Sequence, residues 1–488
     1  MTGMSSTNLI RGASCAVFAG AIFWRLMDHL TALEPEKRNG PLVDTMILPV
    51  LLLLLPLMFA AAGNWPQAAA AAMDCTLGMA VPISVYFALL LAALPLLRRR
   101  FSARLCALLW LLPAILYVTQ YSFMKSAAPR AVVYLPDGAF PAGTWVWAAG
   151  FCAVLAWRTA EHLRYRHALL AQARPVTEPW VLALWDLEQG TVGVRRRELQ
   201  LVRSAAAAMP LSIGLSRKTT RVVLPERTYT RQELTWIFRH ELTHICRGDA
   251  QGKFFLTFCT ALCWWNPLMW LAMGRCAEDL ELSCDEAVLE EAEAADRRAY
   301  AELLLSSAGD GRGYTTCLSA SARSLRYRLR RILHPGRRLF GGFLAALLAF
   351  SLLYGSSAVS FAYERGTGRD WLFDGTPEAA VLSERRYIWD SNRDGRGEDL
   401  YVCTDPAALI DHLAGLTLYR YTGQYDLSDG GREWEVACTV DGRYRSITFG
   451  QDFLQIMTVG EGNRPITRSF RLAAPPDWAY LESLTERA

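Results

Sequence analysis

Long apolar runs dominate the first third of the chain, and another precedes the tail. A helix needs about 20 mainly apolar residues to cross the hydrocarbon core of a bilayer. We therefore predict membrane spans at residues 9–27, 43–62, 76–97, 105–124, 143–157 and 340–361. A buried core helix is the alternative for any one run. The first run is the weakest, because Arg11 and Arg25 interrupt it, and it lacks the small-residue cleavage site of a signal peptide.

Basic residues predict the orientation of these spans. If the spans alternate, four groups of arginines and lysines fall on one side: 25–38, 98–104, 158–166 and 323–338. The basic side of a membrane protein is the cytoplasmic side, so we expect the middle of the chain inside and the tail outside. In the last group, leucines recur at helical spacing between arginines. This favours an amphipathic helix on the inner leaflet over a nucleic-acid-binding segment.

Between residues 174 and 239 the pattern changes to short apolar runs separated by turn residues. The runs 179–184, 211–215 and 221–225 predict strands. Thr230, with Glu233 three residues later, is typical of a helix N-cap. The helix that follows should end near Gly248.

The composition agrees with a membrane protein that also has polar domains. Hydrophobic residues make up 52% and charged residues 20% of the 488 residues, a length that suggests two or three domains. Of the 12 cysteines, only Cys403 and Cys438 lie in the predicted outer tail. An oxidising environment there would allow the two to pair.

The candidate chemistry lies in the helix after Thr230, where the sequence reads His240-Glu241-Leu242-Thr243-His244. Histidines at i and i+4 lie on one face of a helix, so both imidazoles can bind one metal ion, typically zinc. Glu241 beside the first histidine is then placed to take a proton from the attacking water. The chain has only 7 histidines, which makes an accidental pair improbable.

A hydrolytic zinc site needs a third protein ligand and an open fourth position. Glu281 is the best candidate, and Asp285, one turn further on, is placed to hydrogen-bond a ligating histidine. The same stretch also offers the carboxylates of Glu278, Asp279 and Glu286. Two further residues after the motif, Arg247 and Asp249, either orient the site or cap the helix.

The apolar segment 254–273 constrains where this site can lie. If it crossed the membrane once, Glu281 and His240 would be on opposite sides and could not bind one ion. We therefore expect the segment to re-enter the membrane, lie in its interface or be buried in the protein. Asn266-Pro267 in its middle favours a break.

Three motifs in order resemble the M56 family of membrane metallopeptidases: His240–His244 with Arg247-Gly248-Asp249, then residues 266–270, then residues 281–289. The best-known members are bacterial β-lactam sensor-transducers of the BlaR/MecR type. The resemblance covers residues 179–361. It implies a gluzincin-like zinc peptidase domain facing the cytoplasm and an outward C-terminal domain that senses a signal. In the sensor-transducers, the signal leads to autocleavage and to proteolysis of a cytoplasmic repressor.

The tail departs from those sensor-transducers. Their outer domain is a penicillin-binding fold that is acylated at a Ser-x-x-Lys serine, but the last lysine of this chain is Lys253. The tail therefore has no such nucleophile, and β-lactam sensing by acylation is excluded for it. Asp441-Gly442 between alternating runs predicts a hairpin, and Asp405 predicts the N-cap of a helix over 405–416. Residues 390–395 resemble the start of a calcium loop, but Tyr401 occupies its twelfth position, which favours a polar turn.

We thus expect a multi-span α-helical membrane protein with an α+β gluzincin-like zinc peptidase domain and a small α+β extracytoplasmic domain. Its parts are a transmembrane bundle at 1–162, the cytoplasmic zinc peptidase domain at 163–338, the last span at 339–361 and the outer sensor domain at 362–488. The catalytic residue is Glu241, and the zinc ligands are His240, His244 and Glu281.

The expected function is a membrane-anchored zinc endopeptidase that converts an extracytoplasmic signal into cytoplasmic proteolysis. Its expected partners are the lipid bilayer, a protein substrate such as a transcriptional repressor and an unidentified outer ligand, without direct nucleic-acid binding; a homodimer is left open. One alternative is a quality-control protease for membrane proteins. The other is a receptor with a silent or structural zinc site, closed by Cys246 or Cys284 as a fourth ligand.

Overall fold

The computed structural model describes residues 6–31, 45, 49–50, 65–120, 131–137, 139–194, 199–216, 218–308, 322–334, 341–356, 359–382, 387–391, 398–421, 433–459 and 465–487. The helices are α1 (Ser6–Thr31), α2 (Trp65–Arg100), α3 (Ala103–Leu111), α4 (Ala139–Leu170), α5 (Pro179–Val192), α6 (Arg231–Arg247), α7 (Asp249–Leu262), α8 (Pro267–Val288), α9 (Ala294–Ala308), α10 (Ala322–Leu333), α11 (Gly342–Gly355), α12 (Gly368–Leu372), α13 (Pro406–Gly415) and α14 (Trp478–Ser483), with 3-10 turns at Leu112–Gln120 and Pro377–Ala379. The strands are β1 (Ala131–Tyr134), β2 (Arg174–Pro175), β3 (Gln200–Ser204), β4 (Leu211–Ile213), β5 (Arg221–Pro225), β6 (Val359–Thr367), β7 (Ala380–Leu382), β8 (Tyr387–Ser391), β9 (Glu398–Cys403), β10 (Thr417–Tyr421), β11 (Glu433–Val440), β12 (Arg443–Phe449), β13 (Phe453–Val459), β14 (Pro465–Leu472) and β15 (Thr485–Arg487).

The apolar helices pack together in one hydrophobic cluster, to which α1, α2, α3, α4, α7, α8 and α11 all contribute. Within the described ranges, one helical stretch, Met79–Arg100, is long and apolar enough to cross a membrane. Gly12–Met27, Ala103–Leu116 and Gly342–Gly355 are shorter apolar helices. The prediction of six spans therefore stays a prediction.

The predicted spans differ from the helices mainly at their ends. The run 105–124 is helical only to Leu111 and then continues as a 3-10 segment, whereas the run 143–157 lies inside the 32-residue helix α4. The run 340–361 was predicted too long. Its helix ends at Gly355, because the apolar residues from Val359 onward belong to β6. The run 43–62 falls almost wholly outside the described residues.

A four-stranded sheet in the order β2-β3-β5-β4 forms the polar middle of the chain, with β3 and β5 parallel. The strands predicted at 211–215 and 221–225 are confirmed as β4 and β5. The strand predicted at 179–184 is wrong, since these residues begin α5. Pro179 occupies the first turn of this helix, where a missing N–H costs nothing, and Val181, Leu184, Trp185 and Val192 are buried at helical spacing.

Helix α6 carries the histidine motif and is fixed at both ends as predicted. The Thr230 hydroxyl accepts a hydrogen bond from the Glu233 N–H, and the Glu233 carboxylate accepts one from the Thr230 N–H. At the other end Gly248 has φ 71°, a left-handed conformation that favours glycine, and its N–H caps the carbonyls of His244 and Ile245. These caps set the length of α6 and hence the place of the motif on it.

Replacing Thr230 by alanine is expected to lower the free energy of unfolding by about 1 kcal/mol, because the cap of α6 is lost. Denaturant unfolding of the full chain in detergent measures this. Thr235→Ala is the matched control, since Thr235 lies inside α6 and its hydroxyl donates to the Arg231 carbonyl within the same helix. Alanine is favoured at such a position, so a loss as large in the control would contradict the capping account.

The apolar segment 254–273 breaks in its middle, as the sequence predicts. Helix α7 ends at Leu262, and α8 begins at Pro267 after Asn266, whose side chain accepts the Leu268 N–H at 3.0 Å. Helices α7 and α8 pack against each other and against α2, α3 and α4 in the apolar cluster. The chain thereby returns, and Glu281 on α8 lies beside α6.

The tail is an α+β domain built on an 11-stranded sheet. The predicted hairpin is confirmed between β11 and β12, with Asp441 and Gly442 at φ 50° and 73°. The predicted helix is α13, capped by Asp405. Cys403 and Cys438 are both buried there and are not joined in a disulfide. Most of the calcium-like loop at 390–395 lies outside the described residues.

One strand of the tail sheet comes from the first third of the chain. β1, which precedes α4, pairs in parallel with β6, in register from Ala131 opposite Val359. Asp137 extends the contact by accepting the Arg365 N–H at 2.9 Å. The tail sheet is therefore connected to the helical cluster through α11 and also through the segment that precedes α4.

Candidate metal and active site

The two histidines of the motif lie one above the other on α6. Their Nε2 atoms are 3.1 Å apart, and their rings meet edge to face with centroids at 4.6 Å. His244 is buried, and the side chain of His240 is only 13% exposed. Both rings therefore direct one nitrogen to the same point, as a shared metal ion requires.

Glu281 completes this group from the opposite helix, α8. Its Oε2 lies 3.5 Å from His240 Nε2, and its Oε1 lies 3.7 Å from His244 Nε2. The structure thus brings together all three residues predicted as ligands. The competing carboxylates have other partners: Asp279 and Glu278 contact Arg98, and Glu286 accepts the Ala103 N–H.

The outward nitrogens of both histidines are held by hydrogen bonds. His244 Nδ1 lies 2.5 Å from Asp249 Oδ2, which assigns to Asp249 an orienting role. A donor at Nδ1 leaves Nε2 with its lone pair directed at the metal position. His240 Nδ1 is also held by a hydrogen bond, but its partner is a different residue.

The prediction that Asp285 hydrogen-bonds a ligating histidine directly is wrong. The Asp285 Oδ1 is 3.6 Å from His240 Nδ1, too far for a hydrogen bond. Tyr300 lies between them: its hydroxyl donates to Asp285 Oδ1 at 2.7 Å and lies 2.9 Å from His240 Nδ1. Asp285 therefore reaches His240 through Tyr300, a residue of α9 that no sequence motif marks.

Arg328 is the second residue that sequence reasoning missed. The stretch 323–338 was predicted as a helix on the membrane surface, and α10 is indeed helical, but Arg328 and Ile332 are buried, and Ile332 packs in one apolar cluster with residues of α6. Arg328 donates from Nε and Nη2 to the two oxygens of Asp285, both at 2.7 Å. Its Nη1 also lies 3.4 Å from Glu281 Oε2.

Cys284, on α8, lies close to the histidine pair. Its thiol is buried and donates to the His240 carbonyl at 3.3 Å. One ligand atom from each of His240, His244 and Cys284 falls within a mutual distance of 4.8 Å. The site therefore contains imidazole, carboxylate and thiol donors, the set that zinc prefers.

The comparisons with known proteins agree with this site. The model of a peptidase family described as "BlaR1 peptidase M56" matches residues 142–332. Over these residues the chain is similar to the M56 peptidase family. Regulatory protein BlaR1 of Bacillus licheniformis is 27% identical over 197 residues, which cover 39% of this chain and 31% of that protein. The chain therefore matches about a third of that relative's length, and every site residue above falls within the M56 segment.

The charges around His240, His244 and Glu281 favour a cation at the point where these side chains meet. Burial lowers the pKa of His240, but the Cys284 sulfur and the Glu281 carboxylate outweigh it and raise the pKa to about 10. Burial raises the pKa of Glu281, but His244, His240 and Lys253 outweigh it and lower the pKa well below its usual value. The same negative groups that raise the pKa of the imidazoles also favour a divalent metal ion at this point.

Glu241 has the position expected of a general base. It follows His240 on α6 and is buried, with 7% of its surface exposed. Among the described residues its carboxylate has no hydrogen-bond or ion-pair partner, unlike Glu281, Asp285 and Asp249. It therefore remains available to a water molecule at the metal position.

Proposed function

We propose that this chain is a membrane-anchored zinc metalloendopeptidase. One observation carries the proposal: His240, His244 and Glu281 converge on one point beside the buried Glu241, which has no partner among the described residues, inside the segment that matches the M56 peptidase family. Two imidazoles, a carboxylate and an adjacent glutamate form the arrangement of zinc peptidases with an open coordination position.

Each residue has a defined task in peptide hydrolysis. His240, His244 and Glu281 hold the metal, which when bound supplies Lewis-acid activation of the water and of the scissile carbonyl. Glu241 accepts the proton that the attacking water loses and delivers it to the leaving amine. Asp249 and Tyr300 keep a proton on each Nδ1, so that both Nε2 atoms remain ligands.

We further propose that the peptidase acts in the cytoplasm on a protein such as a transcriptional repressor, in response to a ligand of the outer tail. The apolar helix Met79–Arg100 supports membrane anchoring, and the basic groups at 98–104 and 323–338 support a cytoplasmic site. The position of α11 between α10 and β6 supports a connection from the tail to the site. Autocleavage would be a second outcome of the same activity.

Removal of the metal is expected to abolish hydrolysis, because no other group in the site activates both water and carbonyl. The purified full chain in detergent is assayed with fluorescently labelled casein before and after treatment with a zinc chelator. Hydrolysis should disappear and return with one equivalent of zinc, but not with magnesium, which disfavours imidazole ligands. Undiminished hydrolysis by the metal-free protein would refute the proposal.

A second candidate function rests on Cys284, whose thiol lies among the imidazole nitrogens. If Cys284 were a fourth ligand, zinc would be closed off and the chain would be a receptor without activity. Cys284→Ser distinguishes the two functions by its zinc content. The peptidase account predicts that the variant keeps one zinc per chain, whereas a closed structural site predicts that it loses most of its zinc.

A further inference from the structure

We propose that Arg328 is a positioning residue of the metal site. Its guanidinium holds Asp285 and Glu281 of α8, and through Asp285 and Tyr300 it holds His240, in the arrangement that binds the metal. This inference rests on the proposed ligand set and adds a residue from α10, outside the two helices that carry the ligands.

The burial of Arg328 separates it from the other arginines of α10. Arg326 and Arg330, two positions to either side, are exposed, whereas Arg328 is only 9% exposed. A buried guanidinium is unfavourable unless its donors are paired. Here it forms a two-point contact with Asp285, which fixes both the position and the plane of that carboxylate.

The contacts of Arg328 reach two of the proposed metal ligands, His240 and Glu281. The Asp285 Oδ1 that Arg328 binds also accepts the Tyr300 hydroxyl, and that hydroxyl meets His240 Nδ1. The third nitrogen of Arg328, Nη1, lies 3.4 Å from Glu281. Arg328 thus supports the His240 ligand through Asp285 and Tyr300, and it supports the Glu281 ligand by direct attraction.

Helix α10 is held against the site by more than this one residue. Arg331 donates to the Arg98 carbonyl of α2 at 3.3 Å, and its Nη2 lies 3.8 Å from Glu286 Oε1 of α8, the helix that carries Glu281. The same helix precedes the apolar helix α11 in the chain, and α11 precedes the tail sheet. The segment that leads to the tail therefore supplies part of the support of the metal ligands, so a displacement of α10 would reach the metal site.

The test compares zinc affinity in the full chain in detergent, measured by competition with a chelator of known affinity. Arg328→Gln is expected to weaken zinc binding about 10- to 100-fold, the usual effect of losing a group that orients a metal ligand. Arg330→Gln, an exposed arginine of the same helix, is expected to bind zinc as the wild type does. Arg328→Lys keeps the buried charge but loses the two-point contact, so an intermediate loss is expected.

A double-mutant cycle separates positioning from a general loss of stability. If Arg328 acts through Asp285, then Arg328→Gln should weaken zinc binding far less in an Asp285→Asn background than in the wild type. Thermal unfolding of the metal-free proteins shows which variants are folded, and Arg328→Lys serves if Arg328→Gln is not. Affinities of Arg328→Gln and Arg328→Lys within twofold of Arg330→Gln would overturn this inference and leave the proposed function standing. A wild-type chain that binds no zinc would overturn both.

Discussion

Glu241→Gln is expected to abolish peptide hydrolysis while leaving zinc bound. Glutamine has the shape of glutamate but cannot accept the proton of the attacking water. General-base catalysis typically contributes about 10²- to 10⁴-fold to a rate, so the variant should lose at least that factor. Glu241 has no partner among the described residues, so its replacement breaks no buried ion pair and should not unfold the site.

Two measurements are needed for this variant. Hydrolysis of labelled casein gives the loss of rate, and elemental analysis of the purified chain gives the zinc content. Glu302→Gln is the matched control, because Glu302 is an exposed carboxylate on α9. A zinc-loaded Glu241→Gln protein that hydrolyses casein within tenfold of the control would show that Glu241 is not the base.

Loss of a ligand should have a different signature, because zinc itself is lost. His244→Ala removes one of the imidazole donors and leaves Asp249 buried without its partner. Loss of a group that merely orients a ligand costs about 10- to 100-fold in metal affinity, so loss of the ligand should cost more than 100-fold. Hydrolysis should disappear together with the zinc.

The control for this variant is His167→Ala, since His167 is exposed on α4, away from the motif. The zinc content and the casein assay are repeated on both proteins. Retention of one tightly bound zinc in His244→Ala, with hydrolysis intact, would remove His244 from the ligand set.

Features of the site that depend on local sequence were predictable. The spacing of His240 and His244 on a helix, the capping of that helix by Thr230 and the break at Asn266 each depend on residues within a few positions of one another. Glu281 was the best candidate for the third ligand among several carboxylates of the second helical stretch. The structure places it at 3.5 Å and 3.7 Å from the two imidazoles.

Features that depend on packing between distant elements were not predictable from patterns. Residues 179–184 form a short apolar run, and such a run fits a strand as well as the start of a buried helix. Arg328 contacts Asp285 across 43 positions, and α10 gave the same amphipathic pattern that a membrane-surface helix would give. Similarly, β1 pairs with a strand more than 200 positions later, and its four residues carry no mark of that partner.

X-ray absorption at the zinc edge of the wild-type full chain identifies the atoms that bind the metal. We predict that nitrogen and oxygen atoms alone bind the zinc, at about 2.0–2.2 Å, with the multiple scattering of two imidazole rings from His240 and His244. Cys284 should not bind the zinc. A zinc–sulfur distance near 2.3 Å, or a single imidazole, would contradict an open peptidase site built from His240, His244 and Glu281.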